Sequence, residues 1–445
     1  MTKYIIKGGH TLNGTTKVSG AKNVALKAIV AACLTDEEVT INNIPHISDF
    51  KIMSEIIKDL GGEINVAGHS LKIRMKHFSN TNISLDTAAH IRTSSMFLSP
   101  LLAREKEGTV PNPGGCRIGA RPIDRTIEAL RRMGASVEYS SDDGYFYGKV
   151  HTQSGKLEGA TINFDKNTHT GTETILIAAV LARGKTIISN AAEEPEVDEL
   201  IKFLNKMGAK VKRTEKRVIE IEGVEKLHGT THSISPDRNE VVTLAIAAVV
   251  TKGDIFIEDA QTVDINDFLI PFEKAGGGVE KKDNGIRFFY KGELSAIDVT
   301  TSPFPGFMTD WQAPWTVLMT QAQGLSTIHE TVYESRFSYV PELRKMGAKI
   351  ELFRPEIDDP EKIYNFNVKD DKKDNMHAAR ITGPQRLHNG IVTMTDLRAG
   401  ATLVIAALAA TGETTIHGIS HIERGYENFD LRLQNLGADI TKVEE

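Results

Sequence analysis

The sequence predicts an α/β protein built from six copies of one unit, and three observations lead there. An apolar residue followed by glycine and a small residue recurs at Leu60-Gly61-Gly62, Met133-Gly134-Ala135, Met207-Gly208-Ala209, Ala275-Gly276-Gly277, Met346-Gly347-Ala348 and Leu436-Gly437-Ala438. The central glycines stand 73, 74, 68, 71 and 90 residues apart, a repeat of about 70 residues. Upstream in the units, alanine-rich apolar stretches run into a glycine stop and a strand of period two, as in ETILIAAVLARGKTIISN, VTLAIAAVVTKGDIFIED and ATLVIAALAATGETTIHG. Finally, 40% hydrophobic and 25% charged residues over 445 positions are ordinary globular values, so the chain is expected to fold throughout.

Each repeated glycine follows an amphipathic stretch such as DELIKFLNKMGA and precedes an alternating one such as KVKRTEKRVIEI. It therefore reads as a helix C-cap leading into a strand. The alanine-rich helices are apolar nearly all round, which suits helices buried beneath sheets. A unit of this length exceeds solenoid repeats of roughly 20 to 50 residues, so a closed arrangement is expected, most simply two groups of three. The longest interval contains FRPEIDDPEKIYNFNVKDDKKDNMHAAR, near 353–380, which predicts a solvated surface insertion.

The balance of 53 basic and 59 acidic residues, net −6, gives no global attraction to nucleic acid or an anionic membrane. An anionic ligand needs a local cluster of cations. No apolar run reaches the roughly 18 residues of a spanning helix, and MTKYIIKGG lacks a secretory core, so the expected location is cytoplasmic. Two cysteines, Cys33 and Cys116, make neither a disulfide framework nor a zinc site, and no metal is expected. Cys33, within ALKAIVAACL, reads as a buried structural thiol.

Four stretches are candidates for chemistry. In SGAKNVAL, Lys22 and Asn23 open the first buried helix, where free N–H groups and a full positive charge suit an anion. NPGGCRIGARPID places Cys116 in a glycine-rich loop with Arg117 and Arg121, which favour a thiolate if the loop brings them close. Its Arg-Pro-Ile-Asp end starts the next helix, with Pro122 and Asp124 suited to the first turn. In SPFPGFMTDWQAPW, Asp310 is either a helix N-cap or a carboxylate able to accept a hydroxyl proton. TDLRAG puts Arg398 at the opening of the sixth buried helix as Lys22 opens the first, while Arg92 and Arg336 lie near other helix starts.

SGAKN, PGGCRIGARPID, AAEEPEVDEL, ISPDR, FMTDWQ, ETVYESRF, TDLRAG and HIERGYE, in this order and nearly end to end, resemble the UDP-N-acetylglucosamine 1-carboxyvinyltransferase family. The resemblance implies a two-domain inside-out α/β barrel of six βαβαββ repeats, three per domain. Residues 21–232 would form the domain carrying the cysteine loop, and 1–20 with 233–445 the other, the two closing over a cleft. It implies transfer of enolpyruvyl from phosphoenolpyruvate to the 3-hydroxyl of UDP-N-acetylglucosamine with phosphate release and no cofactor, as the first committed step of peptidoglycan synthesis. By matched motif, Cys116 resembles the general acid that can also attach to phosphoenolpyruvate and react with fosfomycin. Asp310 resembles the carboxylate taking the hydroxyl proton. Lys22, Arg121 and Arg398 resemble the cations holding phosphate and carboxylate, and Asn23, Arg92, Pro122, Ile123, Asp124, Lys166, Thr168 and Arg336 the remaining substrate contacts.

The chain also departs from the pattern. Thr168-His169-Thr170-Gly171-Thr172 stands where the family reads Ser-Val-Gly-Ala-Thr, Thr126 replaces a common histidine, and ISPDRNEVVT differs from the usual continuation. A transferase for another UDP-sugar, or an inactive sugar-nucleotide-binding regulator, are the alternatives these departures leave. The shikimate-pathway transferase resembles the chain in fold but lacks the cysteine loop.

Overall fold

The computed structural model describes residues 2–89, 91–114, 118–120 and 122–444. The chain divides into an N-terminal unit, Gly20–Gly115 with Pro122–Ser235, and a C-terminal unit, Met1–Ser19 with Cys116–Arg121 and Pro236–Glu445. Within the N-terminal unit, the Ala21 N–H donates to the Ser235 carbonyl at 2.7 Å. Within the C-terminal unit, the Asp237 N–H donates to the Ser19 carbonyl at 2.8 Å. Gly20 has no room for a side chain, since a Cβ would fall 1.8 Å from the Asn43 carbonyl oxygen.

Six central helices carry the cores: α1 Lys22–Ala32, α2 Leu98–Glu105, α3 His169–Ala179, α4 Arg238–Val250, α5 Thr309–Gln321 and α6 Leu397–Ala409. All thirteen residues of α4 are buried, as an all-round apolar helix requires. Threonine hydroxyls fit there because they bond back to the carbonyl four residues earlier, Thr243 to Asn239, Thr316 to Gln312 and Thr402 to Arg398. In the C-terminal unit α4, α5 and α6 pack on one another, with sheets over them. Each unit is thus an inside-out α/β barrel with helices within.

The repeat is written most clearly in residues 161–222. Strand Thr161–Thr168, α3, strand Lys185–Ala191, the outer helix Pro195–Lys206 and the hairpin Lys210–Glu215 with Val218–Glu222 follow one another as βαβαββ. The two strands flanking α3 pair in parallel and the rest antiparallel. All six repeated glycines have positive φ, between +90° and +101°, and each follows an outer helix, so no other residue would turn the chain at so small a cost. One repeat is incomplete. Its sheet has three strands, and the missing one survives as a bridge between Asn82 and Thr109. The Asn82 N–H is given to the Asn80 side chain at 2.9 Å instead of to a ladder.

The long stretch near 353–380 lies at the surface, nearly all of 354–376 exposed or half-buried, and it is anchored there. Strands Lys349–Phe353 and Ala378–Gly383 pair, and between them the chain folds back into a small core of its own. Tyr364 and Phe366 stack at 4.6 Å, both buried, and the fully buried His377 bonds Asp371 at 2.9 Å. Aromatic residues among the charges of IYNFNV bury enough surface to hold the segment down.

Candidate functional site

The C-terminal unit gathers charge at the opening turns of its three central helices. The α5 N-cap is Met308, which makes no side-chain cap bond, so Asp310 is not the capping residue. Its carboxylate is instead held between two arginines. Arg336 Nη2 reaches Oδ1 at 2.8 Å and Arg398 Nη2 reaches Oδ2 at 3.0 Å. The arginine side chains are 4% and 7% exposed and the aspartate 22%, so only the carboxylate meets solvent appreciably. Pro314 lies four residues on in the same helix and has no N–H, so it leaves the Asp310 carbonyl without its usual helical donor.

Arg398 is positioned from several sides. Asp396 caps α6 by accepting from the N–H groups of Arg398 and Ala399, and Arg398 Nη1 donates to the Tyr426 hydroxyl at 3.0 Å. Burial works against the guanidinium charge, but Tyr426, Asp310 and Asp237 outweigh it and raise its pKa. Arg336 is raised likewise against burial by Asp310, Asp396 and Glu330. Burial pushes the Glu330 carboxyl up, and it accepts bonds from Thr309, Val332 and Tyr333, fixing the loop that leads to Arg336. Glu334, 4% exposed, accepts from the Ala120 N–H at 2.8 Å, and Ser335 N–H donates to the Ile118 carbonyl. Gly119 sits at φ +155°, with a would-be Cβ 2.2 Å from Glu334 Oε2, so that approach needs glycine.

Asp237, Glu330, Glu334, Asp396 and Tyr426 were not singled out from sequence. One signal was available for two of them: ISPDR and TDLRAG put an aspartate one or two residues before an arginine at a buried helix opening, the pattern of an N-cap with a cation behind it.

In the N-terminal unit, Lys22 is the first residue of α1, and its Nζ lies 2.6 Å from the buried carboxylate of Asp49. Asn23 follows, partly exposed. Arg92 opens the 3-10 turn Arg92–Phe97 leading into α2. Lys166 and Thr168 end the strand Thr161–Thr168, and Thr168 caps α3 by accepting from the Gly171 N–H at 3.2 Å. Ile123 is the N-cap of the helix Asp124–Arg132 and Asp124 its first residue, so Pro122 lies just before the N-cap, two positions ahead of the first turn expected for it. Cys116, Arg117 and Arg121 lie outside the described residues. Cys33 is fully buried, with its thiol pushed up to about 12 by that burial, an inert structural cysteine as expected.

Deeper in the same unit, Glu173 of α3 is completely buried between two basic side chains. Lys27 Nζ of α1 lies 3.2 Å from one carboxylate oxygen and His169 Nε2 3.2 Å from the other. Among the described residues, no helix is long and apolar enough to cross a membrane.

Against known proteins, residues 6–433 match the family model of EPSP synthase (3-phosphoshikimate 1-carboxyvinyltransferase). A UDP-N-acetylglucosamine 1-carboxyvinyltransferase of Desulfatibacillum aliphaticivorans is 40% identical over 444 residues, covering 100% of both chains. The UDP-N-acetylglucosamine 1-carboxyvinyltransferase 1 of Carboxydothermus hydrogenoformans is 42% identical over 443 residues, covering 100% of this chain and 99% of its own. The chain belongs to the UDP-N-acetylglucosamine 1-carboxyvinyltransferase family. The fold of this family extends to more distant structures. The enolpyruvyl transferase NikO from Streptomyces tendae superposes with a TM-score of 0.85 at 23% identity over 99% of each chain. The EPSP synthase from Acinetobacter baumannii gives 0.73 at 18% identity over 100% of each.

Proposed function

We propose that this protein moves the enolpyruvyl group of phosphoenolpyruvate to the 3-hydroxyl of UDP-N-acetylglucosamine and releases phosphate, the first committed step of peptidoglycan synthesis. The observation that carries this reading is the end-to-end identity of about two residues in five to relatives that bear that name. The carboxylate held by two buried arginines supports it. Under this reading the protein works in the cytoplasm, with consequences for cell shape and division, and its net charge of −6 offers nucleic acid no general attraction.

Phosphoenolpyruvate carries close to three negative charges and the nucleotide about two, so a net acidic chain needs fixed local cations to hold them. Lys22, Arg121 and Arg398 are assigned that task, with Arg336 beside Arg398. A phosphate or carboxylate arriving at the arginines competes for the donors that now engage Asp310, leaving its carboxylate free to take the hydroxyl proton. In the addition step the sugar oxygen bonds to the substituted carbon of phosphoenolpyruvate while Cys116 gives a proton to the methylene carbon. In the elimination step the carbon–oxygen bond to phosphate breaks and the same methyl carbon loses a proton, which leaves the enol ether. Asn23, Arg92, Pro122, Ile123, Asp124, Lys166 and Thr168 bind and orient the nucleotide and phosphate. Proton transfer by a positioned side chain contributes typically 10² to 10⁴ in rate.

The bulkier Thr168 to Thr172 turn favours one second reading, the same transfer to a different UDP-sugar. A phosphate-release assay over several UDP-sugars separates the two. Release from phosphoenolpyruvate should require UDP-N-acetylglucosamine, fall severely in Cys116→Ala, and stop when fosfomycin alkylates Cys116. Release with a different UDP-sugar only, or an unmodified Cys116 after incubation with nucleotide and fosfomycin, would refute the first reading.

A further inference from the structure

In three of the repeats the outer hairpin closes with two residues, at 68–69, 216–217 and 283–284. The hairpin of Lys349–Phe353 with Ala378–Gly383 takes 24, residues 354–377. The repeat does not need this length, and the extra chain returns to one place. The Asn365 N–H donates to the Thr331 carbonyl at 2.7 Å, and the Glu330 N–H donates to the carbonyl of His377, the last residue of the insertion, at 2.8 Å. Asn365 stands between Tyr364 and Phe366, whose stacked rings lie 4.9 and 5.2 Å from the His377 ring. Asp371, which His377 bonds, also accepts from Asn375 Nδ2 at 3.0 Å and pairs with Arg354, the first residue of the insertion. Both ends and the middle of the insertion are thus tied to one core, which holds the backbone donor of Asn365 in place.

We propose that Asn365 is a positioning residue for the reaction: its backbone N–H fixes the turn 330–336 and so sets Arg336 against Asp310. This proposal rests on the functional reading above. Thr331 is buried and gripped from its other side by Thr301, whose hydroxyl accepts the Thr331 N–H at 2.8 Å and whose carbonyl accepts the Thr331 hydroxyl. The Thr331 carbonyl and the Val332 N–H belong to one rigid peptide plane. Asn365 holds the carbonyl side of that plane, and the buried Glu330 carboxylate holds the N–H side at 2.8 Å. Glu330 also takes the hydroxyl of Thr309, the neighbour of Asp310, so one carboxylate serves as reference for both partners of the Arg336–Asp310 pair. A buried carbonyl that loses its donor must turn to find water or another donor. Turning it swings the Val332 N–H off Glu330 and frees the chain that leads through Glu334 to Arg336.

The test compares Asn365→Pro with Asn365→Ala in the full-length protein. Proline removes the N–H, and Tyr364 before it already has the extended backbone that a following proline demands, φ −86° and ψ 133°. Alanine keeps the N–H, so the loss of the side chain cancels in the comparison. Hydrogen exchange over residues 328–336, read by mass spectrometry, should be faster in the proline variant. Its kcat/KM for phosphoenolpyruvate at saturating UDP-N-acetylglucosamine should be roughly three- to tenfold lower, the factor that one hydrogen bond of ordinary net strength corresponds to. The loss should lie in KM and not in kcat, because Arg336 holds the anion before and during the reaction alike. Faster exchange with an unchanged KM would make the insertion a purely architectural anchor and overturn the proposal, and unchanged exchange would overturn it at its first step. Both leave the functional reading standing, which phosphate release by the wild type tests alone. A wild type that releases no phosphate with any UDP-sugar removes that reading and this proposal with it. Should Asn365→Pro not fold, Phe366→Ala takes its place, since it removes the ring stacked on Tyr364 and keeps every backbone donor. Against Phe366→Leu it must show the same faster exchange and raised KM; an equal KM in the two overturns the proposal.

Discussion

Each unit sets a carboxylate of a central helix between two basic side chains, but the two build the arrangement from different partners. In the C-terminal unit Asp310 is gripped by Arg336 and Arg398, and in the N-terminal unit Glu173 by Lys27 and His169. Arginine stays charged at every pH the protein meets, so the first arrangement is a permanent one. Histidine titrates near neutrality, so the second varies with pH. Exposure differs as well: Asp310 is 22% exposed and Glu173 not at all, which leaves the first carboxylate accessible to a reactant and confines the second to holding helices together. The mechanism proposed above therefore draws on the carboxylate that reaches solvent and leaves the buried one to architecture.

The largest expected effect tests the accessible member. Asp310→Asn keeps the shape and removes the proton acceptor, so phosphate release should fall by roughly 10² to 10⁴ while UDP-N-acetylglucosamine still binds. A variant retaining a tenth or more of the wild-type rate would place Asp310 with Glu173 as a purely structural group. Glu173→Gln should behave in the opposite manner. It leaves the buried Lys27 ammonium uncompensated, and breaking such a pair costs about 3–5 kcal/mol of stability. Urea unfolding followed by circular dichroism measures this, and a loss below about 1 kcal/mol would show that the pair does not hold α1 to α3.

Much of the fold was legible because the repeated glycine has a single physical use. A left-handed residue after an outer helix is needed six times, and glycine meets it each time, so the period stands in the sequence itself. Asp310, Lys22 and Arg398 were legible through their place at helix openings. The contacts between them were less so, since Arg398 meets Asp310 from a different repeat, 88 residues away, and Tyr426 reaches Arg398 from 28 residues further on. ALKAIVAACL looked uniformly apolar, and the one lysine in it gave no hint of a buried glutamate in α3. Binary patterning reports which faces are buried, whereas pairing of buried charges depends on which helices become neighbours. The anchoring of the segment near 353–380 escaped for a related reason: its charge content reads as surface, which most of it is, while the spacing of Tyr364, Phe366 and His377 was not counted.

The smallest expected effect separates the two arrangements by pH. The pKa of His169 is raised in the folded protein, so the stability it contributes is fully present below the unfolded histidine value and is lost as pH rises through the folded one. Glu173 is pulled the other way. Burial raises its pKa, but His169 and Lys27 outweigh that and lower it, so its contribution is present above the unfolded carboxyl value and is lost as pH falls through the folded one. The N-terminal cluster is therefore strongest between these limits, at about pH 5 to 6 given ordinary values of roughly 4.3 and 6.5. Asp310 and its arginines have no counterpart to the alkaline loss. The difference in urea midpoint between wild type and His169→Gln isolates the histidine from every other titrating group. It should be positive at pH 6 and shrink steadily toward pH 9, whereas the same difference for Arg336→Gln should stay level over that range. A level His169→Gln difference would mean that the imidazole titrates alike in the folded and unfolded protein, and the contrast between a permanent and a variable arrangement would then fail at its titrating end.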